Sequence, residues 1–318
     1  MKQHPNITVV GSNMVDLLSY LERFPQRGET VFGRGFAQGF GGKGANQAIM
    51  SAILGAKVSM VTCVGDDIFG PKWFEEFEKN SVNTSFVKTI PGNYSGVAAI
   101  WVEPSSDNRI VLGAGANENV SPELVDEAFD QLPRPDAIIS QLEIPQPTIL
   151  RGFQRAKAVG ATTILNPGPA APVLKEILDL TDWLIPNETE FALIANEMAG
   201  IDPANLHQAV RQFGDYTGVN LVVTLGENGA LLYMAGSGQE VLAMPAPIVN
   251  AKDTTGAGDA FCGAFSYGIA AGLEPIKAIE LANVLASDSV TRSGTQISYA
   301  RNERLSELLE QVLEKQEQ

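Results

Sequence analysis

The segment from Asp253 to Asp259, Asp-Thr-Thr-Gly-Ala-Gly-Asp, places glycines and a carboxylate where they could hold an anion. A strand-like stretch (245–251) precedes it, and a long apolar run (260–273), which predicts a buried helix, follows at once. The glycines therefore fall in the first helical turn, where backbone N–H groups lack internal partners and the helix dipole is positive. Because glycine lets an anion approach these amides, the segment predicts a phosphate site with a carboxylate beside it.

Two roles for Asp259 are compatible with this motif alone. It could be a general base that takes a proton from a hydroxyl group during phosphoryl transfer. In that case the amides of Gly256, Ala257 and Gly258 would stabilise charge on the transferred group. Alternatively, the carboxylate only complements the helix dipole, which is worth roughly 0.3–1 kcal/mol. The choice between the two depends on the other motifs of the chain.

A second glycine-rich motif, Gly39-Phe-Gly-Gly-Lys-Gly44, opens a predicted helix. Its spacing matches the fingerprint of dinucleotide-binding folds, and an acid, Asp66, follows the next predicted strand. However, the preceding segment (30–38) is polar and rich in glycine, and a P-loop would need Ser or Thr directly after Lys43. A tight turn without a binding role is one remaining interpretation. We favour the other, a substrate-binding loop in which Lys43 and Asn46 bind hydroxyl groups.

Polar residues also follow several other predicted strands. The segment Pro186-Asn187-Glu-Thr-Glu190 could be a capping box, or its carboxylate could hold magnesium through water. The segment Thr224-Leu-Gly-Glu-Asn-Gly229 could be a simple turn or a nucleotide contact. Glu143 lies at a third strand end. Because α/β sheets bind ligands at the carboxyl ends of their strands, all three positions are candidates for binding.

The composition restricts the partners and the location of the protein. The chain has 318 residues, of which 44% are hydrophobic, and a formal net charge of −15. Nucleic acid and anionic membranes are therefore not expected as partners. No apolar run approaches the roughly 20 residues of a membrane span, and the N-terminus lacks a signal-peptide core, so we expect a cytoplasmic location. The two cysteines, Cys63 and Cys262, lie in apolar runs and are expected to be buried free thiols.

Alternating strand and helix patterns indicate an α/β fold with a parallel sheet. We predict strands of the main sheet at 7–11, 58–64, 137–140, 162–165, 183–185, 221–225 and 230–233. We predict helices at 41–54, 69–79, 122–131, 146–159, 188–196, 203–217, 256–271, 275–291 and 302–315. Two excursions, about 13–40 and 92–115, contain short strands, including a hairpin formed by 95–102 and 109–112. We expect them to build a small β-sheet lid on a single domain that spans residues 1–318.

Six motifs occur in an order that is shared with one enzyme family. They are Gly11 to Asp16, Gly41 to Asn46, Gln141 to Glu143, Pro186 to Glu190, Thr224 to Gly226 and Asp253 to Asp259. Together they make the chain resemble the ribokinase-like, or PfkB-type, carbohydrate kinases from nearly end to end. The resemblance implies a three-layer α/β/α domain with a nine-stranded sheet, and it favours Asp259 as the catalytic base.

The resemblance also implies binding roles for individual residues. The pentose would be held by Asn13, Met14, Asp16, Gly41, Gly42, Lys43, Asn46, Glu143 and Asp259. ATP would be bordered by Asn187, Thr224, Gly226, Gly229, Gly258 and Asn283, with Mg²⁺ held through water by Glu190. A monovalent cation, expected to be K⁺, would lie at Asp253, Thr255, Ser289, Arg292, Gly294 and Ser298. The lid sheet would join two subunits in a homodimer.

The activity implied by the resemblance is the ATP-dependent phosphorylation of the 5-hydroxyl of D-ribose, with 2-deoxy-D-ribose as the alternative substrate. Three positions depart from the family pattern. Met14 stands where many members have Asn, Asn283 stands where His is more usual, and Lys252 stands where an apolar residue is common. The first departure concerns the identity of the sugar, because a thioether does not require a hydroxyl partner. Two other classes remain as alternatives: a non-catalytic sensor, which would not need Asp259, and a dehydrogenase, which would bind NAD instead of ATP.

Overall fold

A computed structural model describes residues 2–104 and 108–313 of the chain. Its strands are β1 (Asn6–Val10), β2 (Met14–Tyr20), β3 (Gly35–Gly41), β4 (Lys57–Gly65), β5 (Asn83–Ile90), β6 (Val97–Val102), β7 (Asn108–Gly113), β8 (Ala137–Gln141), β9 (Thr162–Asn166), β10 (Trp183–Leu184), β11 (Asn220–Thr224), β12 (Ala230–Tyr233) and β13 (Leu242–Met244). Its helices are α1 (Lys43–Ile53), α2 (Gly70–Lys79), α3 (Pro122–Gln131), α4 (Gln146–Ala158), α5 (Lys175–Leu178), α6 (Glu188–Ala199), α7 (Leu206–Thr217), α8 (Ala257–Ala270), α9 (Pro275–Ser289) and α10 (Asn302–Leu313).

The main sheet contains nine strands in the order β13-β12-β11-β10-β9-β8-β1-β4-β5. The strands from β11 to β5 in that order are parallel, and β12 and β13 are antiparallel additions at one edge. Helices cover both faces, since parallel strands are connected by crossovers that pack on the sheet. In β1, Val9 packs into the core on one face and Val10 into the core on the other, as the two-residue strand period requires. The predicted three-layer α/β/α fold with a mainly parallel sheet is confirmed.

Helices α1 and α8 lie side by side on one face of the sheet, and their contact positions the site. A Cβ on Gly263 would lie 2.7 Å from the carbonyl oxygen of Gln47, so the two helices approach each other closely at this glycine. The Oγ of Ser51 lies 2.9 Å from the same carbonyl and 3.0 Å from that of Gly263. This packing brings the first turn of α1 beside the first turn of α8.

A second, four-stranded sheet stands apart from the main one, with the strand order β3-β2-β6-β7. Strand β2 pairs with β3 in antiparallel fashion and with β6 in parallel fashion, and the predicted hairpin is formed by β6 and β7. Three residues of the hairpin connection, 105–107, lie outside the described residues. The sheet exposes several large apolar side chains, namely Tyr20, Phe36, Trp101, Ile110, Val111 and Leu112. Such a patch is typical of a surface that becomes covered by another molecule.

One predicted strand is absent from the structure, and two strands of the main sheet were not predicted. The strand predicted at 245–251 is wrong: this segment is irregular, because Pro245 and Pro247 cannot donate ladder hydrogen bonds and Ile248 is fully exposed. Strands β5 and β13 were not predicted, since β5 is largely polar and β13 has only three residues. The last predicted helix is described to Leu313, and its final two predicted residues fall outside the described range.

None of the helices within residues 2–104 and 108–313 is both long and apolar enough to cross a membrane.

Candidate active site

The first turn of α8 carries the glycines and the carboxylate of the Asp253–Asp259 segment. Gly256 caps the helix with a φ of 75°, and a Cβ there would lie 2.3 Å from Thr295 Cγ2, so only glycine is accommodated without movement. The N–H of Ala257 already donates to the carbonyl of Thr254 at 3.2 Å. Within the described residues the N–H of Gly258 has no protein acceptor, so it is available to an anion. That the amides of Gly256, Ala257 and Gly258 stabilise a transferred phosphoryl group stays a prediction.

Asp259 lies in this turn with 7% of its surface exposed, and both of its carboxylate oxygens are held by α1. Asn46 Nδ2 donates to Oδ2 at 2.8 Å, and Gln47 Nε2 donates to Oδ1 at 3.1 Å. The carbonyl oxygen of the Asn46 side chain accepts a hydrogen bond from Gln296 Nε2 at 2.8 Å. A buried carboxylate that accepts two amide hydrogen bonds is fixed in orientation, which a general base requires.

Lys43, the first residue of α1, places an ammonium group among three carboxylates. Burial alone would lower the pKa of Lys43, but the charges of Asp259, Glu143 and Glu190 raise it above its ordinary value. The side chain therefore stays charged. No ion pair within 4.0 Å involves this lysine in the described part of the chain, so its N–H groups remain free to bind a ligand.

Glu143 follows β8 and lies beside the loop that precedes α1. Its Oε2 accepts hydrogen bonds from Ser12 Oγ at 2.5 Å and from the backbone N–H of Lys43 at 2.9 Å. Burial raises the pKa of Glu143, although Lys43 and the two hydrogen bonds oppose the change. A cleft of about 520 Å³ opens here, and Met14, Glu143 and Pro169 are among the residues that line it. Its volume matches that of a site for a small ligand.

Asp16 lies on β2 of the small sheet, with its carboxylate against Gly41 at the end of β3. A Cβ on Gly41 would lie 2.4 Å from Asp16 Oδ2, so the two residues are in close contact. Burial raises the pKa of Asp16 to about 7, and the charges of Glu143 and Asp259 add to the increase. Such a strong perturbation beside a cleft is typical of a functional carboxyl group.

Asn13 and Met14 behave differently although they are adjacent. Asn13 is fully buried and directs its amide into the core, where it donates to Thr62 Oγ1 at 2.9 Å and to the carbonyl of Cys63 at 2.8 Å. The backbone N–H and carbonyl of Asn13 are both bonded to the side chain of Asn117, so within the described residues only its buried Oδ1 lacks a partner. Met14, with 3% of its surface exposed, lies on the wall of the cleft, and its Sδ is 3.7 Å from Asn117 Nδ2.

The residues predicted to border a nucleotide lie at the ends of neighbouring strands. Asn187 and Glu190 form a complete capping box at the start of α6, in which Glu190 Oε2 accepts from the Asn187 N–H at 2.9 Å. Asn187 also forms a β-bridge with Thr224, so these two segments are adjacent. Gly226 and Gly229 form the turn after β11. Asn283 donates to the carbonyl of Met244 at 3.0 Å, which ties α9 to the end of β13.

The residues predicted to bind a monovalent cation fall into two hydrogen-bonded sets, one around Asp253 and one around Arg292. Asp253 accepts hydrogen bonds from the N–H groups of Thr255 at 3.0 Å and Gly294 at 2.8 Å. Burial alone would raise the pKa of Asp253, but these hydrogen bonds lower it, so the carboxylate stays charged. The carbonyl of Ser298 accepts two N–H groups of Arg292, at 2.9 and 2.6 Å. That carbonyl has no free lone pair, so Ser298 could bind a cation only through its hydroxyl oxygen. The carbonyl of Ser289 accepts the Arg292 N–H at 3.2 Å.

Sequence reasoning did not identify the amide network behind Asp259. Gln47, Asn166, Gln141 and Gln296 are all buried, and each is linked to Asp259 directly or through one side chain. The one local signal was the position of Gln47 directly after Asn46, at the start of a helix that was expected to bind substrate. Its contact with a residue 212 positions away depends on helix packing.

The fold and the site together fit a phosphotransferase of the α/β type, with a fixed carboxylate beside a helix start where, within the described residues, the Gly258 N–H has no protein acceptor. The sequence pattern of the pfkB family carbohydrate kinases matches residues 4–302, and the chain belongs to this family. It is a sugar kinase that transfers phosphate from ATP.

Relatives and solved structures agree with this assignment over nearly the whole chain. The deoxyribokinase of Salmonella typhi is 41% identical, covering 96% of this chain and 98% of its own. The ribokinase of Schizosaccharomyces pombe is 39% identical, covering 92% and 94% respectively. The ribokinase of Thermotoga maritima is 32% identical with a TM-score of 0.87, covering 96% of this chain and 99% of that one. The Arabidopsis thaliana ribokinase complexed with ribose and ATP is 28% identical with a TM-score of 0.85 and the same coverage.

Proposed function

We propose that the chain phosphorylates the 5-hydroxyl of D-ribose with ATP and releases ribose 5-phosphate and ADP. The observation that carries this proposal is that Asp259 is held beside the free amide of Gly258 and in the same charged cluster as Lys43 and Glu143. Named ribokinases among the relatives, and a similar structure complexed with ribose and ATP, support the same substrates.

In this proposal the sugar is bound between the small sheet and the starts of α1 and α8. Asp16, Lys43 and Glu143 supply polar partners for its hydroxyl groups, and Asn46 has one further N–H to donate. Gly41 and Gly42 allow the sugar to approach the backbone. Met14 forms an apolar part of the wall, and Asn13 supports that wall from the core.

Asp259 orients the 5-hydroxyl and accepts its proton, while the amide of Gly258 and the charge of Lys43 stabilise the transferred phosphoryl group. Phosphoryl transfer passes through a loose transition state, so a strong base is not required. Positioning and preorganised charge supply most of the rate enhancement instead. The Asp259 carboxylate is buried and accepts two hydrogen bonds, which supports a role in positioning that does not need a strong base.

The nucleotide is proposed to lie along Asn187, Thr224, Gly226, Gly229 and Asn283. Among the described residues no cluster of three or more His, Cys, Asp or Glu side chains could hold a metal ion alone. This agrees with Mg²⁺, which keeps several waters and binds mainly to ATP phosphates. Glu190 is suited to hold such a water, because only its Oε2 is used in the capping box. When bound, Mg²⁺ would neutralise charge on the phosphates.

K⁺ is proposed to bind near Asp253 through the oxygen atoms of that carboxylate, of the Ser298 hydroxyl and of the backbone at Thr255, Ser289, Arg292 and Gly294. A charged carboxylate with neighbouring carbonyl oxygens suits a hard monovalent cation. When bound, the ion would stabilise the loop that precedes α8.

The small sheet is proposed to be a lid over the sugar, and its exposed apolar side chains to be covered by a second subunit. We also propose a cytoplasmic location. Sedimentation velocity measurements at micromolar protein concentration would test for the homodimer.

A second candidate function, phosphorylation of 2-deoxy-D-ribose, is favoured by Met14. A methionine on the wall of the cleft does not require a hydroxyl partner, so the site lacks one means of rejecting a 2-deoxy sugar. A relative named deoxyribokinase is 41% identical to this chain.

One ADP-release assay over a panel of sugars tests both candidates. The panel contains D-ribose, 2-deoxy-D-ribose, other pentoses, hexoses and nucleosides. The proposal requires the highest kcat/KM with D-ribose or, for the second candidate, with 2-deoxy-D-ribose. A preference for a hexose or a nucleoside by tenfold or more would refute both.

A further inference from the structure

Gln47 is a buried side chain of α1 that contacts Asp259 without being part of any predicted binding set. Its Nε2 lies 3.1 Å from Asp259 Oδ1 and 3.2 Å from Asn166 Oδ1. Its Oε1 lies 2.7 Å from Gln141 Nε2. Every polar atom of the Gln47 side chain therefore has a partner of the correct type.

The orientation of the Gln47 amide is fixed by the backbone of the main sheet. Asn166 Nδ2 donates to the carbonyl of Ile185 at 2.7 Å, which directs Asn166 Oδ1 towards Gln47. Asn166 Oδ1 and Asp259 Oδ1 then both face Gln47 Nε2 as acceptors. The reversed amide would place its oxygen against these two oxygens and its nitrogen against a donor of Gln141, so only one orientation is compatible with the network.

The two carboxylate oxygens of Asp259 are thus held by adjacent residues of α1. Gln47 holds Oδ1, and Asn46, itself held by Gln296, binds Oδ2. The carboxylate plane of Asp259 cannot turn without breaking one of these bonds. Each oxygen keeps a further lone pair, which can accept a hydrogen bond from a substrate hydroxyl.

We infer that Gln47 is a positioning residue for the phosphoryl transfer: it holds the Asp259 carboxylate in the orientation that the reaction uses. The inference rests on the proposed role of Asp259 as the base. It adds that the anchor of this base is a side chain in the core, which reaches the backbone of the main sheet through Asn166. Gln47 belongs to neither the proposed sugar site nor the proposed nucleotide site, so its loss should lower kcat and leave the KM values unchanged.

Replacing Gln47 with leucine removes the hold on Oδ1 and leaves the substrate contacts in place. We expect Gln47→Leu to lower kcat by about 10- to 100-fold, because small misplacements of a catalytic group have effects of this order. The KM values for ATP and for the best sugar should stay within about threefold. Gln47→Met, which matches the length of the side chain, serves the same purpose if the leucine variant does not fold.

Ser51→Ala is the matched control. Ser51 is buried on the same helix, contacts α8 through the carbonyl of Gly263, and does not touch Asp259. This variant should lower the melting temperature as the Gln47 variants do, yet keep kcat within about twofold. A kcat loss in Ser51→Ala equal to that in Gln47→Leu would show that only the packing of α1 against α8 matters, and the inference would be wrong.

A double-mutant cycle separates this inference from the proposed role of Asp259. If Gln47 acts through Asp259, then Gln47→Leu should change the residual kcat of an Asp259→Asn enzyme by less than about threefold. An equal loss in both backgrounds would overturn the inference, as would an unchanged kcat in the single Gln47→Leu variant. If Asp259→Asn alone keeps full turnover, the proposed role of Asp259 as the base is wrong, whatever the Gln47 variants show.

Discussion

The pH dependence of the free energy of unfolding can show how much the burial of Asp16 among other carboxylates destabilises the protein without ligands. Burial and the charges of Glu143 and Asp259 raise the pKa of Asp16 from 3.8 to about 7. In the unfolded chain this carboxyl group releases its proton near pH 4, whereas in the folded protein it keeps the proton to about pH 7. Wild-type stability therefore falls across this window, because the unfolded state binds fewer protons than the folded state.

The perturbation is Asp16→Asn, which keeps the shape of the side chain and removes its titration. A pKa difference of about 3, at about 1.4 kcal/mol for each pH unit, gives a cost of about 4 kcal/mol above pH 7. About half or more of that cost develops between pH 5 and pH 8. Relative to wild type, the variant should therefore gain about 2–3 kcal/mol of stability over this range. The sugar kinase activity should be lost at the same time.

The assay is urea unfolding of both proteins at pH 5 and pH 8, without ATP or sugar. Asp67→Asn is the control. Burial alone would raise the pKa of Asp67, but hydrogen bonds from Ser95, Phe69 and Gly70 lower it, so its contribution is lost only as the pH falls below about 4. Its stability difference from wild type should be constant between pH 5 and pH 8. A constant difference for Asp16→Asn as well would refute the reasoning.

Three further predictions concern turnover, sugar choice and ion dependence. Asp259→Asn should lower kcat, measured by ADP release, by about 10²–10⁴-fold, while the ATP affinity measured by calorimetry is retained. Near-full turnover of this variant would show that Asp259 takes no part in the chemistry. Wild-type kcat/KM for ribose and 2-deoxyribose should lie within roughly 100-fold, and Met14→Asn should shift the ratio towards ribose by about 1–2 kcal/mol; no shift would show that Met14 does not control the choice. Activity should rise when K⁺ replaces Na⁺ or tetramethylammonium at constant ionic strength, whereas equal rates in the three salts would contradict a cation site at Asp253.

Local sequence signals predicted the start of α8 to within one residue. The glycines of the Asp253–Asp259 segment and the apolar run behind it are both short-range features, and the helix begins at Ala257 instead of Gly256. The same kind of signal gave the capping box of Asn187 and Glu190 as one of two interpretations, and the structure contains it. Composition failed at 245–251, where Ile248 and Val249 suggested a strand and the prolines prevented one.

The partners of each site residue could not be predicted, because they depend on how distant elements pack. Asn46 is predicted to bind a sugar hydroxyl, but nothing local predicted that its amide also reaches Asp259 across the contact between α1 and α8. Gln296 lies 250 positions from Asn46, to which it donates. No periodicity or motif encodes such a pair. Asp16 was a candidate sugar contact only through the family resemblance, and its perturbed pKa arises from burial that only the folded chain provides.

The position of β2 in the small sheet affects how this protein could change over evolution. Met14 and Asp16 belong to a strand of the small sheet, whereas Lys43 and Asp259 belong to helices that pack on the main sheet. If the proposed roles hold, selectivity and chemistry are encoded in separately paired parts of the chain. Substitutions in β2 could then exchange one sugar for another while the machinery for transferring phosphate, and the large core beneath it, stay unaltered. Divergence to new substrates would require few compensating mutations.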